Sequence, residues 1–294
     1  MRNAPPDHRL IDGKAVRGRI LDEVRAYVDR HNGIGRLVSI SIGDTPEVAI
    51  YARNQARGAA AAGLRFDQQT WNSEIAQDEC KRRILEMNDD PDVLGIILQR
   101  PVPQHIHVRS LQSAIHPLKD VEGMNPASIG NIVYSDVALA PCTAAASVEL
   151  IKETGLDLKG LEIVMIGHSE IVGKPAAMML MAEGATVTVC HHMTRSVAMH
   201  SRRADVVVVA VGKAHLVGPE MIKPGAAVID IGINQITDAA GQTRIVGDVD
   251  TAAVLEVAGW ITPVPGGVGP VTVAILMRNA SVAHQRQLAA GWIV

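Results

Sequence analysis

Two hydrophobic rhythms alternate along this chain. Short unbroken apolar runs of strand length give way to longer stretches in which apolar residues return every three or four positions. Residues 13–31 (GKAVRGRILDEVRAYVDRH) have the helical spacing, and RLVSISIG at 36–43 reads as a buried strand. PEVAIYARNQARGAAAAG at 46–63 reads as a helix, opened by Pro46 in its first turn and closed by Gly63. The next strand lies in DPDVLGIILQ at 90–99, and RPVP stops it.

A second series begins near Pro141. LKGLEIVMIG (158–167) predicts a strand, VGKPAAMMLMAEGA (172–185) a helix and TVTVC (186–190) a strand. Further strands are expected at 204–212, 225–234 and 259–265, and a terminal helix at 273–288. Strands alternating with helices argue for an α/β protein whose parallel sheets carry helices on both faces. The second series fits a dinucleotide-binding domain of the doubly wound, Rossmann type.

Composition narrows the picture. The 294 residues suffice for two ordinary domains, and 47% hydrophobic with 20% charged residues is ordinary for a globular protein. With one phenylalanine, the core must rely on aliphatic side chains and Met, which suits helices on a parallel sheet. A net charge of −3 without any basic block argues against nucleic acid or an anionic membrane as partner. Cys80, Cys142 and Cys190 form no CxxC pair, and no apolar leader opens the chain, so a cytoplasmic setting is expected. Scattered histidines such as His105, His107 and His116 read as surface residues. No HExxH or carboxylate–His spacing appears, so no metal site is expected.

The clearest local signal is IVMIGHSEIVGKPAA at 163–177. An apolar strand runs into Gly167, and Gly173 stands at a helix start. Glycines permit a tight turn and close approach to a ligand, and the helix N-terminus favours a pyrophosphate. A glycine pair alone also fits an ordinary strand-to-helix turn.

Further segments follow in order: IYARN (50–54), LQRPVP (98–103), KDVEG (119–123), VIDIGIN (228–234), GDVD (247–250) and TPVPGGVGPVT (262–272). With this set, over nearly its whole length, the chain resembles the methylenetetrahydrofolate dehydrogenase/methenyltetrahydrofolate cyclohydrolase family. The resemblance implies an N-terminal folate-binding catalytic domain (1–140 plus 273–294), a C-terminal dinucleotide domain (141–272) and a cleft between them. It also implies a homodimer, a tetrahydrofolate derivative as substrate and NADP or NAD as cofactor, with NADP the family's usual choice.

Carried over residue by residue, the family's cleft tyrosine is Tyr51 and its glutamine Gln99. Its lysine position holds Gln55, and its aspartate position holds Glu122. Tyr51, Gln55 and Gln99 are the expected catalytic positions, and Pro265, Gly266 and Gly267 join Tyr51, Gln99 and Glu122 in binding substrate. The family serine three residues before the tyrosine is Val48, and its PCTPxG segment reads PCTAAA at 141–146. On the cofactor side the expectation covers Gly167, His168, Ser169, Val172, Gly173, His192, Arg195 and Ile233. His168 stands where NADP-using members place an arginine, so His168, His192 and Arg195 become the candidates for a 2′-phosphate.

The departures bear on chemistry. An ammonium at position 55 exchanges a proton, whereas a glutamine amide only hydrogen-bonds. The resemblance therefore implies a dehydrogenase with weak or absent cyclohydrolase activity. Three alternatives stay open: the full bifunctional enzyme, a dehydrogenase or reductase for another cyclic amine or imine, and a non-catalytic dinucleotide-binding paralogue.

Overall fold

A computed structural model describes residues 9–237 and 241–293. The chain divides into two compact units, one of residues 18–142 and 273–294, the other of residues 143–272 with the N-terminal segment up to residue 17. The expected boundary thus shifts at the start of the chain. Residues 9–17 group with the second unit, because Leu10 forms a parallel bridge to Ile261 and Ile11 N–H donates to the Ile261 carbonyl at 2.9 Å.

The chain opens with α1 (Gly13–Arg30), β1 (Arg36–Ile42), α2 (Pro46–Ala61), β2 (Arg65–Trp71), α3 (Gln77–Asp89), β3 (Val93–Leu98), α4 (Val108–Ala114) and α5 (Pro126–Val133). The three strands form a parallel sheet in the order β2-β1-β3. β3 is buried throughout, as its unbroken apolar sequence requires, and β1 nearly so, with Ser39 and Ser41 buried among its aliphatic residues. β2 is absent from the hydrophobic pattern for a physical reason. It is an edge strand, RFDQQTW, fully buried only at Trp71, so no apolar run announces it. The core of this unit gathers Val38, Ile40, Ile84, Ile96, Leu98 and Leu111.

The remaining elements are α6 (Cys142–Lys152), β4 (Glu162–Ile166), α7 (Gly173–Ala182), β5 (Thr186–Cys190), α8 (Val197–Ser201), β6 (Val206–Val209), β7 (Ala227–Asp230), β8 (Asn234–Thr237), β9 (Thr243–Val246), α9 (Thr251–Val254), β10 (Trp260–Ile261) and α10 (Val268–Ala289). Five of these strands make a parallel sheet, β10-β7-β6-β4-β5. The strand expected over 225–234 ends at Asp230; Asn234 begins a separate antiparallel pair, β8 with β9. Turning back after Asp230 suits its buried carboxylate, which accepts from Gly232 N–H at 2.9 Å.

The terminal helix is longer than its expected span, and its residues from 273 onward belong to the first unit. Two buried amides bind it there. Asn279 Nδ2 donates to the carbonyls of Val121 (2.9 Å) and Ala140 (3.1 Å), and Gln287 Nε2 donates to those of Leu94 (2.8 Å) and Leu118 (2.9 Å). Replacing Asn279 with leucine keeps the branched outline of the side chain and removes the donors. Two buried carbonyls then lose a partner, at about 1–3 kcal/mol. Asn279→Leu is expected to lower the urea midpoint; an unchanged midpoint overturns this reading of the amide.

Candidate active site

In the first unit the expected catalytic positions converge. Tyr51 and Gln55 lie one helical turn apart on α2 and therefore share a face. Gln99 follows β3 and is held by its own N–H, which donates to the Ile40 carbonyl at 2.8 Å. Its side chain is buried, and Nε2 donates both to Ser39 Oγ at 2.9 Å and to Gln55 Oε1. Gln55 is thus a buried amide engaged by a neighbouring amide. Tyr51 remains half-exposed, and the burial of its hydroxyl end raises the phenol above its ordinary range.

Glu122 sits beside the same strand. Ile96 forms a parallel bridge with Asp120, which carries the KDVEG segment along β3, and Leu98 N–H donates to Glu122 Oε2 at 2.8 Å. Desolvation pushes the Glu122 carboxyl up to about 7, against the pull of the Leu98 N–H and the Arg100 cation; the Asp120 charge adds to the rise. Two residues that the sequence reading left unassigned position it. Lys119 is fully buried and donates to the carbonyls of Met87 (3.0 Å) and Asp90 (2.7 Å), which fixes the segment to the end of α3. Asp120 accepts from Asn125 N–H and Ser128 Oγ, each at 2.7 Å. Burial raises its carboxyl nonetheless. The KDVEG segment carries all three residues, and its match is the sequence signal for them.

In the second unit the glycine turn follows β4. Gly167 has φ +118°, and a Cβ there would lie 2.2 Å from the Ala210 carbonyl oxygen; a Cβ on Gly173 would lie 2.2 Å from the Gly167 oxygen. Both glycines are therefore required by the backbone itself. Ser169 Oγ accepts from Val172 N–H (3.2 Å) and Gly173 N–H (3.4 Å), which shapes the entry to α7. β4 lies between β5 and β6, so the chain reverses direction across the sheet at its carboxyl end. Parallel sheets bind dinucleotides at such a switch point, and the turn fits a pyrophosphate there.

His168, Ser169, His192 and Arg195 are exposed at this end, as is Ile233 beyond β7. The structure adds His191, absent from the sequence expectation. The rings of His168 and His191 lie 4.6 Å apart, His168 and His192 6.0 Å, and His191 and His192 5.8 Å. Loss of hydration, then the charges of His191, His192 and Lys174, hold His168 below the usual imidazole range. Pro265, Gly266 and Gly267 lie in this unit. Gly266 has φ +118°, and the Gly267 oxygen would lie 2.0 Å from a Cβ at Gly13.

Two buried carboxylates support the strand ends. Asp230 accepts from the N–H groups of Gly232 (2.9 Å), Asp248 (3.0 Å) and Val249 (2.9 Å). Asp248 accepts from Val211 (2.7 Å), Gly212 (3.0 Å) and Lys213 (2.8 Å). These acids belong to VIDIGIN and GDVD, and both carboxylates are engaged by the backbone.

Among the described residues, no helix is long and apolar enough to cross a membrane. Residues 11–122 match the catalytic domain of tetrahydrofolate dehydrogenase/cyclohydrolase, and residues 141–288 match the NAD(P)-binding domain of the same family. The chain is 79% identical over 286 residues to the bifunctional protein FolD 3 of Roseobacter denitrificans, covering 97% of this chain and 99% of that one. It superposes with a TM-score of 0.89 and 35% identity on the bifunctional FolD methylenetetrahydrofolate dehydrogenase/cyclohydrolase of Campylobacter jejuni, covering 95% and 99% of the two chains. The Trypanosoma brucei methylenetetrahydrofolate dehydrogenase-cyclohydrolase, solved with NADP and an inhibitor, gives a TM-score of 0.89 at 35% identity, covering 97% and 99%. A β4–Gly167–α7 turn built for a dinucleotide, joined to an α/β unit bearing Tyr51, Gln99 and an acid at 122, thus has its relatives throughout: this chain belongs to the tetrahydrofolate dehydrogenase/cyclohydrolase family.

Proposed function

We propose that this protein oxidises 5,10-methylenetetrahydrofolate to 5,10-methenyltetrahydrofolate with NAD(P), and has little or no cyclohydrolase activity. The observation that carries the second half is Gln55, a buried amide bonded to Gln99 where the family lysine is expected. The coenzyme, when bound, accepts the hydride. The lone pair of the adjacent folate nitrogen stabilises the cation being formed, so this step needs positioning rather than proton exchange. Tyr51, Gln99 and Glu122 are assigned to holding the folate, with Pro265, Gly266 and Gly267. Gly167, His168, Ser169, Val172, Gly173, His192, Arg195 and Ile233 are assigned to the coenzyme.

Hydrolysis of the methenyl cation differs. Attacking water must lose a proton and a ring nitrogen must gain one, which is general acid/base work. A glutamine at 55 supplies neither. A second reading, the full bifunctional enzyme, is favoured by Glu122, whose carboxyl near 7 is suited to taking a proton at neutral pH. The name of the Roseobacter relative points the same way. We assign folate binding to the unit of residues 18–142 and 273–294 and coenzyme binding to the other. A cytoplasmic homodimer is the expected form; the three unpaired cysteines are in keeping with that compartment.

Methenyl-folate is expected to accumulate during turnover and to decay at its uncatalysed rate. Gln55→Lys is expected to accelerate that decay by about 10²-fold or more, the usual scale of a general acid/base. Strong acceleration by the unmodified protein overturns the proposal in favour of the second reading.

For the coenzyme we propose NADP, with His168, His192 and Arg195 as donors to the 2′-phosphate. Its kcat/KM is expected to exceed that of NAD and to fall in Arg195→Ala; a clear preference for NAD rejects the assignment.

Glu122 also gives a pH signature. Its folded-state value of about 7 lies above the ordinary 4.5, so the folded protein holds this proton more tightly than the unfolded chain. Stability from this group is full below about 4.5, declines as pH rises towards 7, and is level above. Glu122→Gln keeps an acceptor for Leu98 N–H and does not titrate. Its melting temperature relative to the parent is expected to climb across that window. A constant difference shows instead that the carboxyl is ionised throughout.

A further inference from the structure

Three imidazoles meet at the carboxyl ends of two neighbouring strands. His168 follows β4, and His191 and His192 follow β5. Each offers a ring nitrogen, and these three atoms lie within 4.8 Å of one another. The cluster arises from parallel pairing: Ile166 is the register partner of Cys190, so the residues just beyond both strands emerge side by side. No sequence spacing of the HExxH kind announces such a site, because its ligands come from two strand ends.

We propose that His168, His191 and His192 form a site for one divalent transition-metal ion of the imidazole-preferring class, such as zinc or nickel. Imidazole nitrogen suits these ions, and three protein ligands with one water complete a tetrahedral zinc. Zinc–nitrogen bonds of about 2.0–2.1 Å place the ligand atoms about 3.4 Å apart. His168 and His192 are exposed, so side-chain rotation closes the gap without moving a packed group. His191 Nδ1 accepts from Met193 N–H at 3.2 Å, which puts its ring proton on Nε2 in the free protein. Binding through Nε2 releases that proton to solvent while Nδ1 takes one up, and the N–H of exposed Met193 turns to water. Each ligand is then a neutral imidazole. Lys174, the cation whose charge reaches His168, opposes a dication and keeps this site weaker than a closed structural one.

The test is calorimetric titration of zinc chloride into the full chain with any affinity tag removed, without folate or coenzyme. Its outcome therefore stands apart from the reactions the protein catalyses. One zinc per chain is expected, with cobalt(II) giving the visible absorption of a four-coordinate ion. His168→Ala and His192→Ala are each expected to weaken binding at least tenfold, since even partners outside the ligand set contribute about 10–100-fold. His105→Ala, at a histidine whose Nε2 faces the Ile75 carbonyl, is expected to leave it unchanged. Absence of saturable binding overturns the proposal. So does zinc binding that survives both substitutions, or that is lost equally in His105→Ala.

Discussion

Asp230 and Asp248 each gather three backbone N–H groups, Asp248 from the loop after β6 and Asp230 from the loop after β7 and the segment after β9, and both are fully buried. A buried carboxylate is tolerated only when its oxygens are satisfied, and here the satisfying groups are the loops themselves. The loops after β6 and β7 consequently have no freedom to settle elsewhere. Burial still pushes the Asp230 carboxyl up to about 6. A Cβ on Gly247 would lie 1.8 Å from Asp230 Oδ2, so no other residue fits beside it. The carboxyl ends of the five-stranded sheet are shaped by this electrostatic constraint before any ligand arrives.

The first unit uses neutral amides at its centre. Ser39, Gln99 and Gln55 form a chain of hydrogen bonds in the core, and Gln55 occupies it without a proton to exchange. Lys119 brings the one fully buried ammonium among the described residues, and its hydrogen bonds go to backbone carbonyls at the end of α3. Glu122, beside the strand that leads to Gln99, feels the charges of Asp120 and Arg100. The division of labour follows: amides fix geometry, and the Glu122 carboxyl, raised to about 7, is suited to exchange a proton near neutral pH.

How much of this the sequence revealed depended on what each residue does. Apolar periodicity found β1, β3 and β4 to within a few residues, because those strands are buried by their neighbours, and β5 through its β-branched TVTV run, although it is an edge strand fully buried only at Cys190. It did not find β2, an edge strand of polar composition, or the β8–β9 pair, whose four-residue strands are largely exposed. Ordered motifs located Tyr51, Gln55, Gln99, Glu122 and the Gly167 turn. They did not reveal that Lys119 and the two aspartates work on backbone groups, since hydrogen-bond partners distant in sequence leave no local pattern. His191 was missed because strand pairing, not spacing, brings it to His168.

The amides of α10 have a consequence for how the chain is made. Asn279 reaches carbonyls that precede it by 158 and 139 residues, and Gln287 reaches one that precedes it by 193. During synthesis the β1–β3 sheet leaves the ribosome long before the helix that satisfies these groups. All of the β4–β10 segment emerges in between and can assemble on local contacts first. The earliest-made half must therefore wait, with part of its surface uncovered, for the latest-made helix, so nascent chains pass through a stage in which the order of synthesis and the order of completion are reversed.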